Sequence, residues 1–167
     1  VIESRMPKNE FHMAGNANHS ILIAGGIGIT PILSMLCRLV SERQSFEMHY
    51  SARKDSQLAF RDRIEQLAGD RVHFYASRDP QGERLDLERL LSSQEPGVHV
   101  YVCGPWRMIS AVRETAEAWG WPSAQIHFES FGAQPLADDR PIRVHLAKSN
   151  LTLTVPANHT ILDTLLD

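Results

Sequence analysis

Three glycines and a proline in one short run, Gly25-Gly26-Ile27-Gly28-Ile29-Thr30-Pro31, are the residues of this sequence best suited to chemistry. Glycine allows a positive φ and lets a ligand approach the backbone without meeting a Cβ. Where such a loop runs into a helix, the free N–H groups of the first turn face outward and favour an anion. A pyrophosphate is the ligand that such a site suits. Thr30 is expected to cap the helix or to bond a phosphate oxygen, and Pro31 fits the first helical position, where an N–H has no partner to lose. Gly26 and Gly28 match the first pair of the dinucleotide fingerprint GxGxxG, while Pro31 stands in place of its third glycine. A bare tight turn is the competing reading.

A second loop, Tyr101-Val102-Cys103-Gly104-Pro105, repeats this grammar. A small cysteine followed by glycine leaves room for a flat ring beside the backbone, and Pro105 starts another helix. The alternative for Cys103 is a small inert core residue, as expected for Cys37. A third segment, Tyr50-Ser51-Ala52-Arg53-Lys54-Asp55, lies where nucleotide folds meet the adenosine ribose. An acid there bonds ribose hydroxyls, whereas Arg or Lys meets a 2′-phosphate. Both types are present, so the choice stays open, and a solvated loop is the competing reading for Arg53 and Lys54. The eight histidines show no HxH or HxxxH spacing, and neither GxSxG nor HExxH occurs, so metal and hydrolase chemistry have little support.

These loops need a scaffold with all their turns at one rim. His19–Gly25 is a short apolar run ended by glycines, and after Pro31 apolar residues recur at helical spacing (Ile32, Met35, Leu36, Leu39, Val40). The alternation continues with strands over Phe46–Ser51, Val72–Ala76, Val98–Cys103 and Gln125–Glu129. Between them lie a helix carrying Phe60, Ile64 and Leu67, a short helix near Leu85–Leu91, and a helix from Pro105 to Gly120. Five strands alternating with helices predict an α/β fold, a five-stranded parallel, doubly wound (Rossmann-like) sheet. Ligands of such sheets sit beyond the carboxyl ends of the strands where the strand order reverses, so both glycine loops are expected at one crevice.

After residues 14–131 the composition shifts. Residues 132–141, with Pro135, Pro141 and the Asp138-Asp139 pair, read as a linker. Beyond it, Arg143–Ala147 and Leu151–Val155 alternate as a hairpin, and Thr160 is placed to cap a helix with Ile161, Leu162, Leu165 and Leu166. This 142–167 segment is too short to bury a core alone and reads as the opening of a truncated domain. Residues 1–13 read as the exit from an upstream one, and the lack of an initiator Met hints at a fragment.

The chain has 167 residues, 43% hydrophobic and 22% charged, with 17 Lys+Arg against 20 Asp+Glu, which excludes a disordered or collagen-like polymer. A net charge of -3 provides no overall attraction for nucleic acid or anionic lipid. Two cysteines without CxxC spacing exclude a disulfide framework and favour a reducing, cytoplasmic setting. No run reaches the roughly 18 apolar residues of a membrane span.

In this order and at these distances, GGIGITPILSM, HYSARKDSQLAF, YVCGP followed by Met108, and HFESF resemble the reductase components of aromatic-ring oxygenases, of the phthalate dioxygenase reductase and vanillate demethylase reductase type, within the ferredoxin–NADP reductase group. The resemblance covers essentially the whole chain. It implies residues 1–13 leaving a flavin barrel, a nicotinamide-nucleotide domain over 14–131, and the start of a plant-type ferredoxin domain over 142–167. It implies hydride transfer from NADH (NADPH being possible) to FMN, then single electrons through a 2Fe-2S cluster to an oxygenase component or another iron–sulfur acceptor. Gly25, Gly26, Gly28, Thr30 and Pro31 would hold the pyrophosphate, and Arg53 would lie near the adenosine end. Cys103, Gly104 and Pro105 would border the nicotinamide, Phe131 would pack near the flavin ring, and Glu129 would help to bind cofactor. Cys103 and Phe131 would be the catalytic residues, a core position at a domain boundary being the competing reading for Phe131. The sequence departs from the family in lacking an RxYS-type flavin motif and a C-x₄-C-x₂-C cluster motif. The chain as given is therefore expected to bind nucleotide without turning over. The rival expectation is a non-catalytic module that senses a nucleotide or docks a partner.

Overall fold

The structure, a computed structural model, describes residues 8–131, 140–157 and 159–166. Chain contacts divide it into two compact units, Val1–Gly132 and Ala133–Asp167. Most of the expected linker, residues 132–139, lies outside the described residues, as do residues 1–7 of the expected upstream exit.

In the first unit five parallel strands, β1 (His19–Gly25), β2 (Phe46–Ala52), β3 (Val72–Ala76), β4 (Val98–Cys103) and β5 (Ile126–Glu129), form one sheet in the order β3-β2-β1-β4-β5. The helices are α1 (Ile29–Ser41), α2 (Arg61–Ala68), α3 (Leu87–Leu91) and α4 (Trp106–Ala118). β1 and β4 are apolar on both faces because both faces are covered, as parallel sheets require. Leu22, Ala24, Tyr101 and Cys103 join the core under α1 and α2, while Ile21, Ile23, Val100 and Val102 join the core under α4. Ile32, Leu36, Ile109 and Val112 are fully buried, and each such side chain stabilises the unit by roughly 1.5–3 kcal/mol.

The order reverses between β1 and β4, since the chain moves outward through β2 and β3 before returning to β4. Ala24 pairs with both Tyr50 and Cys103, so β1, β2 and β4 end level with one another. Their three following loops emerge side by side, and this alignment positions the site.

The expected elements all form, most with ends shifted by a residue or two, and three of the differences bear on the site. The helix after the glycine loop begins at Ile29, two residues before Pro31, because the first helical turn needs no N–H from proline. Phe60 lies outside α2, as the positive-φ residue that precedes it (φ 60), and is half exposed. The helix after Cys103 begins at Trp106, with Pro105 at its N-cap.

The second unit contains an antiparallel hairpin of β6 (Ile142–Leu146) and β7 (Leu151–Val155), followed by α5 (Ile161–Leu166). Thr160 caps α5 as expected. Its Oγ1 accepts from the Asp163 N–H at 3.1 Å, while the Asp163 carboxylate accepts from the Thr160 N–H at 3.1 Å. This reciprocal arrangement is a capping box. The Thr160 bonds also hold the exposed Asp163 carboxyl below its usual range. Among the described residues of this unit Ile142, Leu151, Leu162 and Leu166 remain exposed.

Candidate functional site

A cleft of about 550 Å³ opens at the carboxyl ends of β1, β2 and β4. Its floor is Gly25, Gly26 and Ile27, one wall is Tyr50 to Arg53, and the other includes Pro105, Arg107 and Met108. The two glycine loops are in direct backbone contact. A Cβ on Gly104 would lie 3.0 Å from the Gly25 Cα, and one on Gly25 would lie 2.7 Å from the Met108 Sδ.

The three glycines therefore do different work. Gly26 has φ +54 and nothing within 4 Å of where a Cβ would stand, so its bare surface faces open space at the cleft. Gly28 has an ordinary φ of -61 and is buried. A Cβ there would meet the Cys103 carbonyl oxygen at 2.1 Å and the Gly104 nitrogen at 2.7 Å. Its lack of a side chain lets β4 approach the first loop, whereas the sequence suggested direct contact with a phosphate. Thr30 is not the cap of α1: it lies inside the helix, exposed, and its Oγ1 donates to the Ile27 carbonyl at 3.1 Å. Thr30 and Pro31 shape the loop from behind and do not line the cleft, because the helix starts two residues ahead of Pro31.

Arg53 and Pro105 line the cleft as expected. Cys103 is fully buried, with its side chain in the core shared with Tyr50 and Ile29. Burial, helped by the Glu129 carboxylate, pushes its thiol up from 9.0 to about 11, so it stays protonated at neutral pH. Glu129 is half-buried on β5, paired in register with Cys103. Phe131, 57% exposed, does not line the cleft.

Several lining residues have no role of their own in the sequence reading. Tyr50 is buried, and its hydroxyl donates to the Gly26 carbonyl at 3.2 Å, tying β2 to the glycine loop. Burial raises the Tyr50 hydroxyl's pKa, so it remains a donor. Phe60 presents a half-exposed ring at the rim because its positive φ turns it out of the α2 face. Ser77 closes the outer end, its backbone bonded to the Ala52 carbonyl at 3.1 Å. Alternation within β2 could have singled out Tyr50; the positions of Phe60 and Ser77 depend on strand pairing and loop conformation.

The donor set fits a nucleotide. Among the described residues no Asp or Glu lines the cleft, Gly26 leaves room beside the backbone, and Arg53 and Arg107 supply positive charge. An iron–sulfur cluster does not fit these residues. The two cysteines lie on α1 and at the end of β4 and Cys103 is buried as a thiol, whereas a plant-type 2Fe-2S centre takes four thiolates and a Rieske-type centre two thiolates and two imidazoles. Among the described residues no group of three or more His, Cys, Asp or Glu is arranged to hold a metal ion. No described helix is long and apolar enough to cross a membrane.

The strand order and the paired loops at its reversal define an open, doubly wound α/β domain whose cleft sits where this class takes its ligands. Residues 1–126 match the family model for the N-terminal domain of dimethylamine monooxygenase subunit DmmA-like proteins, and the chain belongs to this family. It is 40% identical over 161 residues to a carnitine monooxygenase reductase subunit of Acinetobacter baumannii, covering 96% of this chain and 50% of that protein. It is 37% identical over 158 residues to a vanillate O-demethylase oxidoreductase of a Pseudomonas species, covering 93% and 50%. A solved phthalate dioxygenase reductase, described as a modular structure for electron transfer from pyridine nucleotides to 2Fe-2S, superposes with a TM-score of 0.69 at 36% identity. That superposition covers 97% of this chain and 51% of the other. The chain thus spans about half the length of the curated relatives it matches.

Proposed function

We propose that residues 14–131 are the nicotinamide-nucleotide domain of a reductase component that supplies electrons to an oxygenase. The observation that carries this reading is the direct contact of the two glycine loops at the β1/β4 reversal, beside a cleft that no described carboxylate lines. A dinucleotide laid across the cleft would set its pyrophosphate over Gly25 and Gly26 and its adenosine half toward Arg53. Its nicotinamide would lie against Gly104 and Pro105. When bound, the reduced nicotinamide supplies a hydride, two electrons with one proton. The protein's part is to hold the ring in register, which Tyr50 serves by bracing the Gly26 carbonyl and Gly28 serves by letting the loops touch.

Cys103 positions by size. A neutral thiol packed beneath the second loop keeps that loop close to Gly28 without adding charge. On this reading FMN and a 2Fe-2S cluster belong to parts of the protein beyond these residues, and an oxygenase or another iron–sulfur protein accepts the electrons. Phe131, exposed just after β5, would then face the flavin-bearing part, and residues 142–167 would open the ferredoxin-like part.

The reading is tested by titrating the chain with NAD⁺ and NADP⁺ in a calorimeter. Saturable binding of a nicotinamide nucleotide is expected, and it should be lost in Gly26→Val, whose side chain would project into the cleft. A folded wild-type chain that takes up neither nucleotide refutes the proposal. In the complete protein the reading also requires flavin and iron–sulfur absorbance; a colourless complete protein would establish the non-catalytic module instead.

A further inference from the structure

Beyond Arg53 the cleft continues into a second cavity of about 480 Å³. The two share Ser51, Arg53, Ser77 and Arg107, and the second adds Arg78 and Arg84. Four arginines therefore line these two adjoining cavities in a chain whose net charge is -3. Among the described residues no Asp or Glu lines either cavity and no ion pair engages any of the four. The acid that could have bonded ribose hydroxyls is turned elsewhere. Asp55 is ion-paired with Arg61, its backbone N–H donates to the Asp79 carboxylate at 2.9 Å, and it lines a different cavity. The backbone fixes two of the arginines together, because the Arg78 N–H donates to the Arg53 carbonyl at 2.8 Å.

Unpaired guanidinium groups clustered against a concave, carboxylate-free surface repel one another until an anion joins them, and their forked donors suit phosphate oxygens. Resting on the nucleotide reading above, we infer that Arg53, Arg78, Arg84 and Arg107, with the Ser51 hydroxyl, form a dianion subsite for the 2′-phosphate of NADPH; the Ser77 hydroxyl instead donates to the Ala52 carbonyl at 3.3 Å. The preferred donor is then the 2′-phosphorylated nucleotide, in place of the NADH that the family resemblance implies. The subsite lies at the carboxyl ends of β2 and β3, where the adenosine half would fall.

The test compares NAD⁺ and NADP⁺ binding to the 167-residue chain by calorimetry at two salt concentrations, with circular dichroism to confirm that each variant is folded. NADP⁺ is expected to bind at least about 10-fold more tightly than NAD⁺, an advantage that shrinks as salt rises. Arg84→Gln and Arg78→Gln, both exposed substitutions, are expected to remove most of that advantage. NAD⁺ binding as tight as NADP⁺ overturns the subsite and leaves the nucleotide reading standing. An NADP⁺ advantage that survives the double substitution overturns its assignment to these arginines. Binding of neither nucleotide overturns both readings.

Discussion

Replacing Gly28 by alanine tests the contact on which the site depends. The new Cβ would stand 2.1 Å from the Cys103 carbonyl oxygen and 2.4 Å from its carbon, both backbone atoms that no rotamer change can move. Ordinary contact begins at 3.4 Å, so the two loops would have to separate by roughly 1 Å. Gly28 sits between α1 and β4 in a buried position, and relief of this overlap costs about 2–4 kcal/mol. At roughly 2–4 °C per kcal/mol for a chain of this size, thermal unfolding followed by circular dichroism should show a midpoint lower by on the order of 10 °C. Gly26→Ala is the control. Its Cβ meets nothing within 4 Å, and only its φ of +54 is unfavourable, which costs about 1 kcal/mol. Nucleotide affinity should fall in Gly28→Ala even well below the midpoint, because separating the loops spoils the cleft floor. A Gly28→Ala protein that melts with the wild type, or no worse than Gly26→Ala, would refute the inference that β4 rests on the first loop.

Removing the Tyr50 hydroxyl in Tyr50→Phe deletes one bond to the Gly26 carbonyl and should weaken nucleotide binding about 2- to 10-fold with the fold intact, as measured by calorimetry. Cys103 should resist alkylation in the native chain at pH 8, while half-buried Cys37 is modified first, a difference that peptide mass mapping can read. Because the folded thiol titrates near 11 and the ordinary one near 9.0, the folded state holds its proton longer. Stability from this group is complete below pH 9 and declines as pH rises toward 11, which alkaline unfolding curves of wild type and Cys103→Ala would reveal. His99 and His127 share a hydrogen bond of 2.9 Å, and burial holds both below the usual imidazole range. Unfolding therefore takes up protons, so stability should fall as pH drops below about 6.5 through the depressed folded values, and His127→Gln should flatten that acid limb of the melting profile.

Much of the architecture is legible along the chain because its signals are local. The apolar run His19–Gly25 and the helical spacing from Ile32 to Leu39 follow from burial on two faces and on one face. Thr160 and Asp163 lie three residues apart, so their cap needs no distant partner. The locations of the two glycine loops were equally readable, since Gly25, Gly26 and Pro105 stand at strand ends that composition marks. Phe60 shows where this reading fails: its type and spacing fit the buried stripe of α2, but a positive φ set by the preceding turn places its ring at the cleft. Gly28 shows another limit, because glycine that admits a ligand and glycine that admits a neighbouring strand look identical in one dimension.

Sequence alone determined the alternation of strands and helices, the two loops rich in glycine and proline, and the presence of both acidic and basic residues after β2. Tertiary structure decided which of them meet. Pairing of β1 with both β2 and β4 brings Gly25, Arg53 and Pro105 to one cleft, though they are far apart along the chain. Folding also withdrew Cys103 into the core and turned Asp55 toward Arg61, leaving arginines to face the hollow. These outcomes depend on which side chains are desolvated and which charges find partners, and those free energies exist only once distant strands are packed together.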